Sequence, residues 1–170
     1  MENASEIDAR RAAEERAQTV ATQDALFEPW ARSTVGEPVL VREVTGDPSY
    51  WLVPVELADR AIGFVRVTTE GRAVASGALY RHPGMLDTAP PVVTGITAAD
   101  ARERVADALG PDSVVDDPIY VHDGPPGREA WLVRVRERDG ATRLLFVTEA
   151  GWYERSPDAA GSAPGLEGDQ

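Results

Sequence analysis

Residues 50–56 read YWLVPVE and residues 130–136 read AWLVRVR. The likeness extends in both directions. Laid over each other at a shift of eighty, residues 37–71 and 117–151 match without a gap. Pro38 meets Pro118 and Val41 meets Val121. Trp51, Leu52, Val53, Val55, Asp59, Ala61, Val67, Thr68 and Gly71 all meet identical residues. Such a register, held through three strand-like runs and their turns, reads as a duplicated unit.

Alternation assigns the faces. Trp51, Val53 and Val55 share one side of a strand, as do Trp131, Val133 and Val135. These sides should meet a helix. Leu52, Pro54 and Glu56 lie opposite, as do Leu132, Arg134 and Arg136. Pro54 cannot donate to a ladder, which argues for an edge position in the first copy. In the second copy strands are expected near 118–123, 130–137 and 143–149, turned by GPPG and RDG. Short fourth strands, AVAS and WYER, follow each copy.

The helix upstream of the second copy is ITAADARERVADALG (96–110). Thr97 caps it with Asp100 three residues on, Ala98, Ala101, Val105 and Ala108 form its apolar stripe, and Gly110–Pro111 stop it. A shift of seventy-five lays it on residues 21–35, Thr97 falling on Thr22, where Pro29 should kink or break a helix. Residues 4–21 read as a charged helix with a stripe of Ile7, Ala13, Ala17 and Val20, serving as a lid or a dimerising arm. The expected organisation is an N-terminal helix (1–21), a first repeat (22–79), a Pro-rich linker (80–95), a second repeat (96–156) and a disordered tail (157–170). The fold class is α+β: two tandem helix-plus-antiparallel-sheet repeats with an extra N-terminal helix. One repeat of about 60 residues makes a thin core, so the two should pack together.

Composition narrows the chemistry. The net charge is −12, which disfavours nucleic acid and anionic membranes as partners. No apolar run approaches the length of a bilayer span, and the N-terminus has no apolar signal core, so a cytoplasmic location is expected. Cysteine is absent, excluding disulfides and thiolate chemistry. All seventeen cations are arginine, which excludes a Walker lysine and a Schiff-base lysine.

The order of a short helix followed by strands, in ITAADARERVADALG and then AWLVRVRERDGATRLLFVTEAGWYER, resembles PepSY-type domains. The resemblance covers about 96–156 and, more weakly, 22–79. It implies a non-enzymatic module linked to peptidase inhibition or regulation. Many relatives are extracytoplasmic, and this sequence departs from them in lacking a secretion signal. GFVRVTTEGRAVASG (63–77) also resembles the ends of small bacterial immunity proteins.

Two histidines, His82 and His122, could do acid–base work. Asp116, Asp117, His122 and Asp123 could offer ligands to a divalent metal. Adjacent strand residues point to opposite faces, so His122 and Asp123 should diverge, and no metal or cofactor is assigned. Tyr120, Trp152 and Tyr153 are aromatic in the second copy alone, where the first has Leu40, Arg72 and Ala73. Arg134, Arg136 and Arg138 replace Pro54, Glu56 and Ala58, and Arg128 and Arg143 could extend a basic stripe. Arginine forks suit carboxylates and phosphates.

The expectation is a non-catalytic module that binds a protein or peptide through Arg134, Arg136, Tyr120, Trp152 and Tyr153, aided by a free sheet edge. Inhibition, immunity or chaperoning would be the role, with a homodimer through the N-terminal helix as a further partner. The alternative is a small-ligand protein or enzyme with a pocket between helix and sheet.

Overall fold

A computed structural model of the chain describes residues 4–124 and 127–157. Pro125 and Pro126 of the GPPG turn, and the tail from residue 158, lie outside the described residues. The elements in chain order are helix α1 (Glu6–Gln23), a 3-10 helix (Ala25–Arg32), and strands β1 (Thr34–Val35), β2 (Val39–Arg42), β3 (Pro48–Leu57), β4 (Arg60–Thr68) and β5 (Ala73–Ala78). After a linker with a 3-10 turn (Leu86–Thr88) come α2 (Ala98–Arg104), a second 3-10 turn (Ala106–Ala108), β6 (Val114–Val115), β7 (Ile119–His122), β8 (Glu129–Arg136), β9 (Thr142–Thr148) and β10 (Gly151–Arg155). The class is α+β.

Both halves use one strand register. Thr34 pairs with Glu56, and eighty residues on Val114 pairs with Arg136. Leu40 pairs with Trp51, and Tyr120 with Trp131. Trp51 pairs with Val67, and Trp131 with Val147. The same side-chain alternation, with turns of the same length between, dictates the same pairing twice.

Pro54 is not at an edge. It lies in β3, which has neighbours on both sides. Its missing N–H costs nothing because β2 ends against Leu52 and β1 begins against Val55. Between those registers Pro54 contributes only its carbonyl, which accepts from Gly36 N at 3.0 Å.

The two halves join as a single ten-stranded sheet, ordered β10-β9-β8-β7-β2-β3-β4-β5. β1 and β6 are short extra partners of β3 and β8. At the junction β2 and β7 run parallel, Arg42 opposite Val121. Joining them removes two edges that would otherwise be exposed to aggregation. It has a geometric consequence. Equivalent strands can be adjacent and parallel only if one half is rotated by half a turn about the strand direction. That rotation turns the sheet over, so the helices of the two halves lie on opposite faces.

The core clusters follow this reversal. On the α1 face of the first half, Val53, Val55, Val65 and Val67 pack with Ala9, Ala13, Ala17, Val20 and Trp30. On the α2 face of the second half, Val133, Val135, Leu145 and Val147 pack with Ala101 and Val105. Tyr120, on that second face, packs with Val41, Tyr50 and Leu52, which point away from α1. Val44, from the β2–β3 turn, reaches the outer face of the second half and packs with Val121, Leu132, Leu144 and Phe146. Each fully buried Val or Leu contributes about 1.5–3 kcal/mol.

α1, rather than the 3-10 segment, is the counterpart of α2. Both carry a capping box, Ser5 with Asp8 and Thr97 with Asp100. Both continue Asp-Ala-Arg, bury that alanine, and bury the residue four further on, Ala13 or Val105. Both start beside the turn after a half's long hairpin. Ala4 N donates to Thr69 O, and a Cβ on Gly95 would touch Glu149. The first half carries the longer helix. The stripe of α1 is therefore Ala9, Ala13, Ala17 and Val20, while Ile7, expected in it, is 71% exposed.

The 3-10 helix supplies Trp30, which is buried against Gly63. A Cβ on Gly63 would collide with the Trp30 ring and stand 2.8 Å from Gly77 O. The matching position in the second half is Arg143, which fills the space differently. Its guanidinium bonds Ala108 O (3.0 Å), Glu137 (3.2 Å) and Glu154 (2.9 Å). Those carboxylates raise the Arg143 pKa, and Arg143 in turn lowers that of Glu154.

Candidate functional site: the outer face of the second half

The outer face of the second half is built by alternation on β8, β9 and β10. One cross-strand row is Leu132–Phe146–Tyr153 and the next is Arg134–Leu144–Arg155. Tyr153 stacks on Phe146, with centroids 5.3 Å apart and planes 6° from parallel. Arg155 lies over the same ring at 5.9 Å. Leu144, between two arginine stems, is only 6% exposed.

Asp123 anchors this surface. It is 3% exposed and ion-paired to Arg155, and it accepts a 2.7 Å hydrogen bond from the Tyr153 hydroxyl. Burial, together with that bond, pushes the Tyr153 pKa up to about 12. The latch ties edge strand β10 to the end of β7. Arg134 donates to the backbone carbonyl of Val44. Arg136, exposed, pairs with Asp116 at 3.0 Å.

The five residues singled out from the sequence divide between the faces. Arg134, Arg136 and Tyr153 share the outer face. Tyr120 lies on the other face, 8% exposed, tilted against Trp131 at 5.0 Å and packed on the first half's Tyr50 and Leu52. Trp152 also points to the α2 side, 42% exposed, at the sheet edge. Arg143 is on the α2 side with its carboxylates, and Arg138 pairs with Asp112 at 3.2 Å. Arg155 and Asp123 complete the site. Arg155 was legible, since it sits two residues from Tyr153 on a strand.

The histidine and the three acids of the candidate metal set diverge. Asp116 goes to Arg136, Asp117 to Arg102 and Asp123 to Arg155. His122 faces the opposite side, with Nε2 2.8 Å from Glu43 and 3.1 Å from the Ser49 hydroxyl, and Nδ1 2.7 Å from Gly124 O. Both ring nitrogens are thus engaged within the junction. Beside them Glu129, at the start of β8, accepts from the Tyr50 hydroxyl at 2.6 Å and pairs with Arg66 at 3.3 Å. Arg66 also covers the Tyr50 ring at 4.7 Å. Burial and Glu129 hold the Tyr50 pKa well above its ordinary value. These contacts bind the halves together across the junction. His82 is exposed on the linker.

Among the described residues no helix is long and apolar enough to cross a membrane. Comparison with protein-family models, with curated proteins and with solved structures finds no match to this chain.

Proposed function

We propose that the protein is a non-catalytic binding module, built from two PepSY-like units, that takes a protein or peptide segment on the outer face of its second half. The mechanism is occlusion or chaperoning, consistent with an inhibitory or immunity-like role. The observation that carries this reading is a contrast between equivalent faces. In the first half the chain itself reaches the outer face: the linker leaves the α1 side at Ala89, Pro90 O accepts from Ala61 N, and Val93 packs against Val41, Tyr50 and Leu52. In the second half the matching face carries instead the tip at Val44 and the side chains of Tyr153, Arg134 and Arg155, beneath which Leu132, Leu144 and Phe146 are buried. That face leads to β10, whose outer edge has no paired strand among the described residues and which exposes Trp152 and Tyr153. A sheet face leading to an open edge suits an extended partner segment.

The test is affinity capture from the native host. Wild type is compared with an Arg134→Glu, Arg136→Glu double variant, and with an Arg10→Glu, Arg11→Glu control on α1. Captured proteins are then assayed in purified form. A partner lost in the first variant and kept in the second supports the face; equal binding by all three overturns it.

A further inference from the structure

We propose that the segment taken on this face is acidic, an extended peptide presenting carboxylates at alternate positions to Arg134 and Arg136, with Arg155 beside them. This rests on the reading above and specifies the partner's chemistry. The face places Arg134 and Arg155 in one cross-strand row, two strands and therefore about 10 Å apart. Arg136 follows Arg134 on the same side of β8, about 7 Å along the strand. The strand positions of Arg134 and Arg136 match the spacing of alternate residues in an extended chain, and Arg155 faces them across the row.

Their charges are unevenly answered. Arg155 meets the buried Asp123, and Arg136 meets the exposed Asp116. Arg134 meets only a neutral carbonyl, with no carboxylate in salt-bridge range among the described residues. Arg128, close enough to act on Tyr153, likewise has no carboxylate partner among them. Among the described residues four guanidiniums thus stand against two carboxylates, on a chain whose net charge is −12. The first half differs at the same positions: Pro54 and Glu56 stand where Arg134 and Arg136 do, and there an uncharged segment around Val93 reaches the face. The charge of the covering segment should change with the charge of the face. At physiological salt the screening length is about 8 Å, so these nearby arginines outweigh distant acids for a docked peptide. Guanidinium forks bind carboxylates in a bidentate manner, which gives register as well as affinity.

The experiment uses the full-length protein and three fluorescein-labelled nine-residue peptides in which valine alternates with glutamate, serine or lysine. Fluorescence anisotropy is read at low and at physiological salt. The inference expects the glutamate peptide to bind at least tenfold more tightly than the serine peptide, with affinity falling as salt rises, and the lysine peptide not to bind. Arg134→Gln and Arg136→Gln should each weaken the glutamate peptide about five- to tenfold with an unchanged circular-dichroism melting curve. Equal binding of the glutamate and serine peptides overturns the acidic assignment while leaving the partner face standing. No binding of the glutamate peptide overturns the inference, and the capture experiment then decides the broader reading separately. If the protein sediments as a dimer that the glutamate peptide cannot dissociate and Arg136→Glu abolishes, a second copy occupies the face and the inference fails.

Discussion

Gly63→Ala should destabilise the first half through one identifiable collision. The new Cβ would lie 2.9 Å from Trp30 Cε2, closer still to Cζ2, and 2.8 Å from Gly77 O. The carbonyl belongs to the neighbouring strand, so β4 cannot yield in that direction. The indole must retreat by roughly a carbon radius from a site where it is 3% exposed. Overpacking of this kind costs about 1–3 kcal/mol. Urea unfolding followed by tryptophan fluorescence should show a lower midpoint with an unchanged slope. Trp30→Leu on its own should cost a comparable amount, by leaving a cavity. Combined, the two changes should cost less than their sum by about 1 kcal/mol, because the smaller side chain makes room for the methyl. A Gly63→Ala protein within about 0.5 kcal/mol of the parent, or strict additivity in the double variant, would refute the packing argument.

Arg143→Ala should cost about 1–2 kcal/mol by leaving Glu137 and Glu154 facing each other and Ala108 O without its donor, measurable by the same unfolding. Asp123→Ala should free β10 first: limited proteolysis should cut at Arg155 several-fold faster than in the parent, whereas an unchanged rate would count against the latch. All four tyrosines have raised pKa values, chiefly through burial, so tyrosinate absorbance at 295 nm should stay low well above pH 10 in the folded protein. Stability from these groups is fully present below their unfolded value of about 10 and is lost as pH rises through the folded values, near 12 for Tyr153. Tyr50→Phe should lessen that alkaline loss, and a tyrosine ionising near pH 10 before unfolding would contradict the burial argument.

The strand pairing was legible because a gapless repeat carries its register with it. Alternation placed Val53 and Val133 toward helices and Leu132 and Arg134 away from them, as observed. The helices were harder to read. Matching Thr97 to Thr22 followed overall spacing, whereas the shared physical signal was the capping box continued by Asp-Ala-Arg, at Ser5 and at Thr97. Pro54 was misplaced because its missing donor suggested an edge, while a gap between two short partner strands serves as well.

Tyr120 shows a deeper limit. Its difference from Leu40 suggested a binding surface, on the argument that duplicated halves need the same core. The halves share one sheet that turns over at β2 and β7, so a residue near the junction also meets the other half, whose side chains differ from those of its own. Tyr120 meets the first half's Tyr50 and Leu52, and becomes core there. Which two edges meet is decided by contacts between residues some eighty positions apart, such as Glu129 with Tyr50 and His122 with Glu43. No local pattern records that choice.

The central claim is that the arginine face of the second half is the surface that receives a partner. Nuclear magnetic resonance of the arginine Nε–Hε groups tests it most directly, with the valine–glutamate peptide titrated into labelled protein. The account predicts shifts for Arg134, Arg136 and Arg155 that saturate together, while Arg10 on α1 and Arg72 before β5 stay still. Shifts centred on α1 or β5, or spread evenly over all the arginines, would contradict it.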